Sequence, residues 1–176
     1  MSVRDRRLES DYQGLLRLCM SNKNIKLVDY IPEPRKYVIQ ISNVVGVESI
    51  NYDDAPVYRT QHILEISNFA LKYPQPVRDG TPTVRFQSPI FHPNVYLEGL
   101  ADFSCGDMLE NLAPPCIVVL RLIAMIQYTN TDFGCPANDE AKRWYERNKH
   151  KDWFPLGKNQ IINHQQSNQI KWRNST

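Results

Sequence analysis

Apolar and polar residues alternate along the chain in patterns that change period several times. Leu8, Tyr12, Leu15, Leu16 and Cys19 recur at steps of three and four, which predicts an amphipathic helix over 4–20. The next stretch, 21–35, is polar and ends in Ile31-Pro32-Glu33-Pro34, so it reads as a connecting loop. The run 36–45 is rich in β-branched residues and bounded by Gly46, which predicts a strand. A second strand is expected over 57–69, where His62, Leu64 and Ile66 share one side. Between the two, Asn51-Tyr52-Asp53-Asp54-Ala55-Pro56 has turn chemistry. A proline-stiffened loop, Tyr73-Pro74-Gln75-Pro76 and then Asp79-Gly80-Thr81-Pro82, leads to a short strand at 83–87. Strands joined by short turns with no intervening helix pair antiparallel, as a meander. Residues 116–128 are apolar nearly all round, with Pro115 at a favourable first helical position, and predict a buried helix. Asn138 can cap a last helix running to about 149, with Asp139 and Glu140 in its first turn. Ala141, Trp144, Tyr145 and Asn148 would line its inner face.

With 176 residues, 41% of them hydrophobic and 23% charged, the chain has the composition of one soluble domain with a real core. No apolar run reaches the roughly 18 residues that cross a bilayer. The N-terminus lacks the apolar core of a signal peptide. A cytoplasmic protein with no membrane partner is the expectation. The four cysteines, Cys19, Cys105, Cys116 and Cys135, form no CxxC pair and no Cys/His cluster at zinc spacing. Four free thiols and no metal or cofactor are therefore expected, with Cys19 and Cys116 as core residues. The net charge of +2 is uneven: from Ala141 onward there are eight basic and two acidic residues. A basic tail can hold an acidic partner, but this one lacks the interleaved aromatics of a single-strand groove, so nucleic acid is not expected. Residues 157–176 are polar and rich in Asn and Gln, and read as a tail following a domain of 1–156.

The stretch with most chemistry runs from Thr83 to Pro115. A short strand leads into Phe91-His92-Pro93-Asn94, and Cys105 follows within an acidic loop that closes at Pro114-Pro115. His92-Pro93-Asn94, the preceding Tyr73-Pro74 and Pro82, the downstream cysteine and the later stretch PANDEAKRWYERNK resemble ubiquitin-conjugating enzymes over roughly residues 5–150. Gly106-Asp107 is similar to a pair found in bacterial relatives, which makes a divergent bacterial member the expectation. The resemblance implies an α+β UBC-like fold: an antiparallel four-stranded meander, an N-terminal helix, a buried central helix and a C-terminal helix. It also implies that a ubiquitin-like modifier is carried as a cysteine thioester and passed to an amine on a protein substrate, after loading by an activating enzyme.

On that resemblance Cys105 is the carrier thiol. Glu98, Asp102, Asp107 and Glu110 surround it in sequence and would raise its pKa, which suits a thiol loaded by a dedicated enzyme rather than one activated alone. Asn94 would stabilise the tetrahedral oxyanion of acyl transfer, or hold the loop that does. His92 would fix the turn, with general base as its lesser reading. Asp132 is the candidate for relieving the attacking amine of a proton, and Cys135 in the same loop is the competing thiol. Arg4, Arg6 and Arg7 crowd the first turn of the first helix, where the helix dipole disfavours them. They would dock the activating enzyme. In familiar members the cysteine lies eight residues after the asparagine, where this chain has Asp102. That displacement keeps open a second reading, an inactive variant that binds a ubiquitin-like protein or partner without catalysis.

Overall fold

The computed structural model describes residues 3–32, 36–67, 83–102, 113–129 and 133–154. In chain order it contains helix α1 (Val3–Ser21), strands β1 (Ile25–Ile31), β2 (Lys36–Ile50), β3 (Pro56–Ser67) and β4 (Thr83–Phe86), and helices α2 (Pro115–Ile126) and α3 (Asp139–Asn148). The four strands pair in sequence order as an antiparallel meander. Together with the helices they make the α+β UBC-like arrangement.

The period-two pattern of the strands builds one face of the core. Tyr37, Ile39 and Ile41 of β2, Leu64 and Ile66 of β3, and Val84 and Phe86 of β4 are buried in register, with Ile39 opposite Leu64 and Leu64 opposite Phe86. Leu8, Leu15 and Leu18 turn one stripe of α1 inward. Leu18 belongs to that stripe although the expected set ran through Leu16. Helix α2 lies between α1 and β2 and buries Val118, Val119, Leu122, Ile123, Met125 and Ile126. Pro115 opens α2 as expected, since its missing N–H would have had no intrahelical partner. Three tyrosines fasten α1 to the sheet: Tyr12 stacks on Tyr30 at 4.5 Å, and Tyr30 on Tyr37 at 5.2 Å.

Two expectations are corrected here. The stretch 21–35 is not a loop throughout, because it contains β1. This edge strand is paired on one side, half-exposed, and broken by a register shift between Leu27 and Asp29 that spoils its alternation. The strand begun at Lys36 does not stop at Gly46 but continues to Ile50. Gly46 is there because a Cβ would lie 2.7 Å from Ile126 Cγ2 and 2.9 Å from His62 Cε1. The glycine marks a close approach of β2 to α2, not an end of the strand.

A second aromatic core sits beyond the sheet's far end. Val47, Tyr128, Phe133, Trp144, Tyr145 and Phe154 are buried together, and Phe91 packs against them. The connection between β2 and β3 docks here. Trp144 Nε1 donates to the Asp54 carbonyl at 3.0 Å, Arg147 pairs with the Asp54 carboxylate at 2.9 Å, and Asn148 Nδ2 donates to it at 3.3 Å. Asn138 caps α3 as its sequence expects, accepting from the Ala141 amide at 3.0 Å. No helix among the described residues is long and apolar enough to cross a membrane.

Candidate active site

The His-Pro-Asn segment forms a turn tied to three separate elements. On its approach the Phe91 amide donates to the Val47 carbonyl of β2 at 2.8 Å, and the Tyr128 hydroxyl, just past α2, donates to the Phe91 carbonyl at 2.6 Å. At its crest the Asn138 amide, which starts α3, donates to the Pro93 carbonyl at 2.9 Å. His92 and Asn94 are both buried, at 0% and 1% exposure. Nδ1 of His92 accepts the Asn94 backbone N–H at 3.0 Å, which fixes the neutral tautomer with its proton on Nε2. The imidazole packs 4.6 Å from the Tyr128 ring and 5.6 Å from Phe133. Desolvation there pushes its pKa down to about 3, against a smaller upward pull from the Met125 carbonyl. Burial likewise drives the Tyr128 phenol upward.

Past Asn94 the chain makes a narrow excursion along β4. The Val95 and Ala101 backbones bridge, Tyr96 N–H donates to the Leu100 carbonyl at 2.9 Å, and Phe86 N–H donates to the Gly99 carbonyl at 2.8 Å. Gly99 has φ +84°, and a Cβ on it would lie 2.4 Å from the Phe86 carbonyl oxygen. A glycine is required on both counts. The excursion returns to the turn where the Asp102 amide donates to the Asn94 carbonyl at 2.8 Å. Asp102 thus stands directly beside Asn94, and its carboxylate accepts the Tyr96 hydroxyl at 3.0 Å. That hydrogen bond, followed by the carboxylate's charge, raises the Tyr96 phenol.

Of the residues expected at the site, the structure brings His92 and Asn94 together. Cys105, Asp132, Tyr73-Pro74, Pro82 and the tail 157–176 lie outside the described residues, as does the Arg4 side chain. Arg6 is exposed on α1, and Arg7 pairs with Asp11 one turn on at 2.8 Å. Supports that the sequence reading left out are Tyr128, Phe133 and the Asn138 backbone. Their signal was faint, because each acts on the turn through tertiary packing from far along the chain.

The cysteines require a correction. Cys19 and Cys116 are free, half-buried against the main core, and their thiols are raised by that burial. Cys135, expected as a free competing thiol, is instead exposed and disulfide-bonded. Spacing along the chain could not reveal this, because the fold decides what Cys135 faces. Phe133 on one side of it packs on His92, and Asn138 on the other bonds to Pro93.

A helix leading into a four-stranded antiparallel meander, with a buried His-Pro-Asn turn between the last strand and the core helix, defines a protein of the UBC-like class. Comparison of sequences narrows this. The chain is 30% identical over 120 residues to "Ubiquitin-conjugating enzyme E2 2" of Neurospora crassa, covering 67% of this chain and 71% of that protein. It is 33% identical over 108 residues to "Ubiquitin-conjugating enzyme E2 3" of Arabidopsis thaliana, covering 60% of this chain and 63% of that protein. The chain belongs to the ubiquitin-conjugating enzyme family. No family model matches it.

Proposed function

We propose that this protein is a working conjugating enzyme that carries a ubiquitin-like modifier as a thioester on Cys105 and passes it to an amine of a protein substrate. The observation that carries the reading is the turn itself. Asn94 is buried and held by its own backbone to both His92 and Asp102, and Cys105 follows Asp102 by three residues. A thiol suits the task because thiolate is both a good nucleophile and a good leaving group. The chain of events starts with transfer of the modifier's acyl group from the activating enzyme to the Cys105 sulfur. A substrate amine then attacks the thioester carbon, and collapse of the tetrahedral oxyanion expels the thiolate. Asn94 acts on the oxyanion, directly or by holding the loop that does. Asp132 takes the amine's proton. His92, neutral and enclosed, holds the turn rather than exchanging protons. Arg4, Arg6 and Arg7 offer the activating enzyme a basic docking turn, and the Gly106-Asp107 pair supports a divergent, bacterial-type member acting in the cytoplasm.

One observation favours a second reading. Asp102 holds the place beside Asn94 where familiar members have the cysteine, and a carboxylate there can carry no thioester. In that case the chain binds a ubiquitin-like protein or partner and transfers nothing.

Loading decides between them. The chain, first reduced and then freed of reductant, is incubated with ATP and the activating enzyme and modifier of its own genome. A thiol-sensitive adduct on a non-reducing gel is expected. Cys105→Ala should abolish it, and Cys105→Ser should make it thiol-resistant. Asp132→Asn should load normally but transfer slowly, with recovery as pH rises. No adduct from partners shown to be active would establish the binding module instead.

A further inference from the structure

We propose that Cys105 and Cys135 form one reversible disulfide that withholds the carrier thiol, so that the protein accepts a modifier only when reduced. The carrier half of this statement rests on the function proposed above; the disulfide half does not. The chain has four cysteines. Cys19 and Cys116 are free, while Cys135 is disulfide-bonded. Within one chain, Cys105 is the thiol left to be its partner.

The described residues on either side make the pairing geometrically natural. Asp102, three residues before Cys105, is bonded to the Asn94 carbonyl. Asn138, three residues after Cys135, is bonded to the neighbouring Pro93 carbonyl. Three residues reach at most about 10 Å, so both cysteines are leashed to one turn. Phe133, seated on His92, fixes the loop of Cys135 from its other end. A disulfide needs Cα atoms about 4.4–6.8 Å apart, which two such leashes allow. Cys135 is also exposed, and exposed disulfides are the labile, regulatory kind. In a reducing compartment those that do form are mostly transient or redox-sensing.

The oxidant is a small-molecule disulfide, RS–SR. The Cys105 thiolate attacks one of its sulfurs, forming Cys105–S–SR and releasing one RS⁻. The Cys135 thiolate then attacks the Cys105 sulfur, closing the protein disulfide and expelling the second RS⁻. The two protein thiols lose two electrons and two protons, and RS–SR leaves as two RSH. A dithiol reverses both steps. Since one sulfur cannot hold a thioester and a disulfide together, the two states exclude one another.

The test uses the full chain equilibrated in glutathione buffers of rising disulfide fraction, then alkylated and divided. One half is digested without reduction for peptide mass mapping. The other is offered ATP, activating enzyme and modifier. The map should show a single linked pair joining Cys105 to Cys135, with Cys19 and Cys116 alkylated. Cys135→Ser should instead keep one glutathione on Cys105. Because the second thiol acts intramolecularly, wild type should lose loading at a disulfide fraction at least about tenfold lower than Cys135→Ser, and dithiothreitol should restore it. A link that joins two chains, or involves Cys19 or Cys116, overturns the pairing. Equal midpoints for the two proteins overturn the withholding. A reduced chain that never loads although its peptides link overturns the carrier role as well, and leaves the disulfide as a structural staple.

Discussion

Within three residues, His92 and Asn94 are separated by what their surroundings allow. Both are buried, but His92 spends its free nitrogen on the Asn94 amide and is held neutral, which leaves it a structural part. Replacing it with Ala removes an acceptor and opens a cavity beside Tyr128 and Phe133. The expected cost is about 2–4 kcal/mol in urea denaturation. Asn94→Ala should leave loading intact and slow transfer to an amine by about 100–1000-fold, the range for a lost oxyanion donor. Equal losses in both steps would assign Asn94 to the scaffold. Gly46 gives a third residue-scale expectation. Gly46→Ala drives a methyl into Ile126 and His62 and should destabilise by about 1–3 kcal/mol, a sign opposite to that of a glycine merely ending a strand.

Among the elements, α3 shows which of its contacts matter. Trp144 is wholly buried and donates to the Asp54 carbonyl, so Trp144→Ala should cost about 3–5 kcal/mol. Arg147 pairs with the same residue in the open, where ion pairs contribute about 0–1 kcal/mol, so Arg147→Ala should barely move the denaturation midpoint. If the two variants lost equal stability, the ion pair rather than the indole would hold the β2–β3 connection to α3. Elements with a clean period and a cap were legible in the sequence. The α2 helix shows no polar face, α3 has Asn138 at its start, and β3 alternates through His62, Leu64 and Ile66. β1 was not legible, since an edge strand with a register shift has no alternation to read. Gly46 was misread because a local rule, glycine as terminator, lost to a tertiary contact that no local pattern encodes. The turn at His92 was legible by resemblance alone. Its ties to Tyr128 and Asn138 span dozens of residues and had no signature of their own.

Taken as a whole, the molecule encloses two neutral histidines, and that sets its response to acid. His92 and His62 both have pKa values lowered mainly by desolvation; His62 also donates to the Val44 carbonyl at 3.0 Å. The unfolded chain takes up a proton at each near pH 6.5, whereas the folded chain refuses one at His92 until about pH 3. A lowered histidine pKa therefore contributes stability above pH 6.5 that is lost as pH falls. For His92 the slope approaches about 1.4 kcal/mol per pH unit once the unfolded imidazole is charged. Urea midpoints at pH 7, 6 and 5 should decline, and His62→Gln should remove part of the decline. A flat profile across that window would mean that the imidazoles take protons without unfolding.

The aromatic core under the turn has an optical consequence. Tyr128 and Tyr145 stack within 3° of parallel at 5.6 Å, and Phe133, Trp144 and Phe154 lock around them. Rings held in one asymmetric arrangement produce near-ultraviolet circular dichroism, which vanishes when side-chain packing loosens even if the backbone stays folded. Because these same rings clasp His92 and Phe91, the band reports on the seat of the chemistry itself. The molecule thus carries a label-free gauge of whether its working turn is assembled, readable before any modifier or activating enzyme is added.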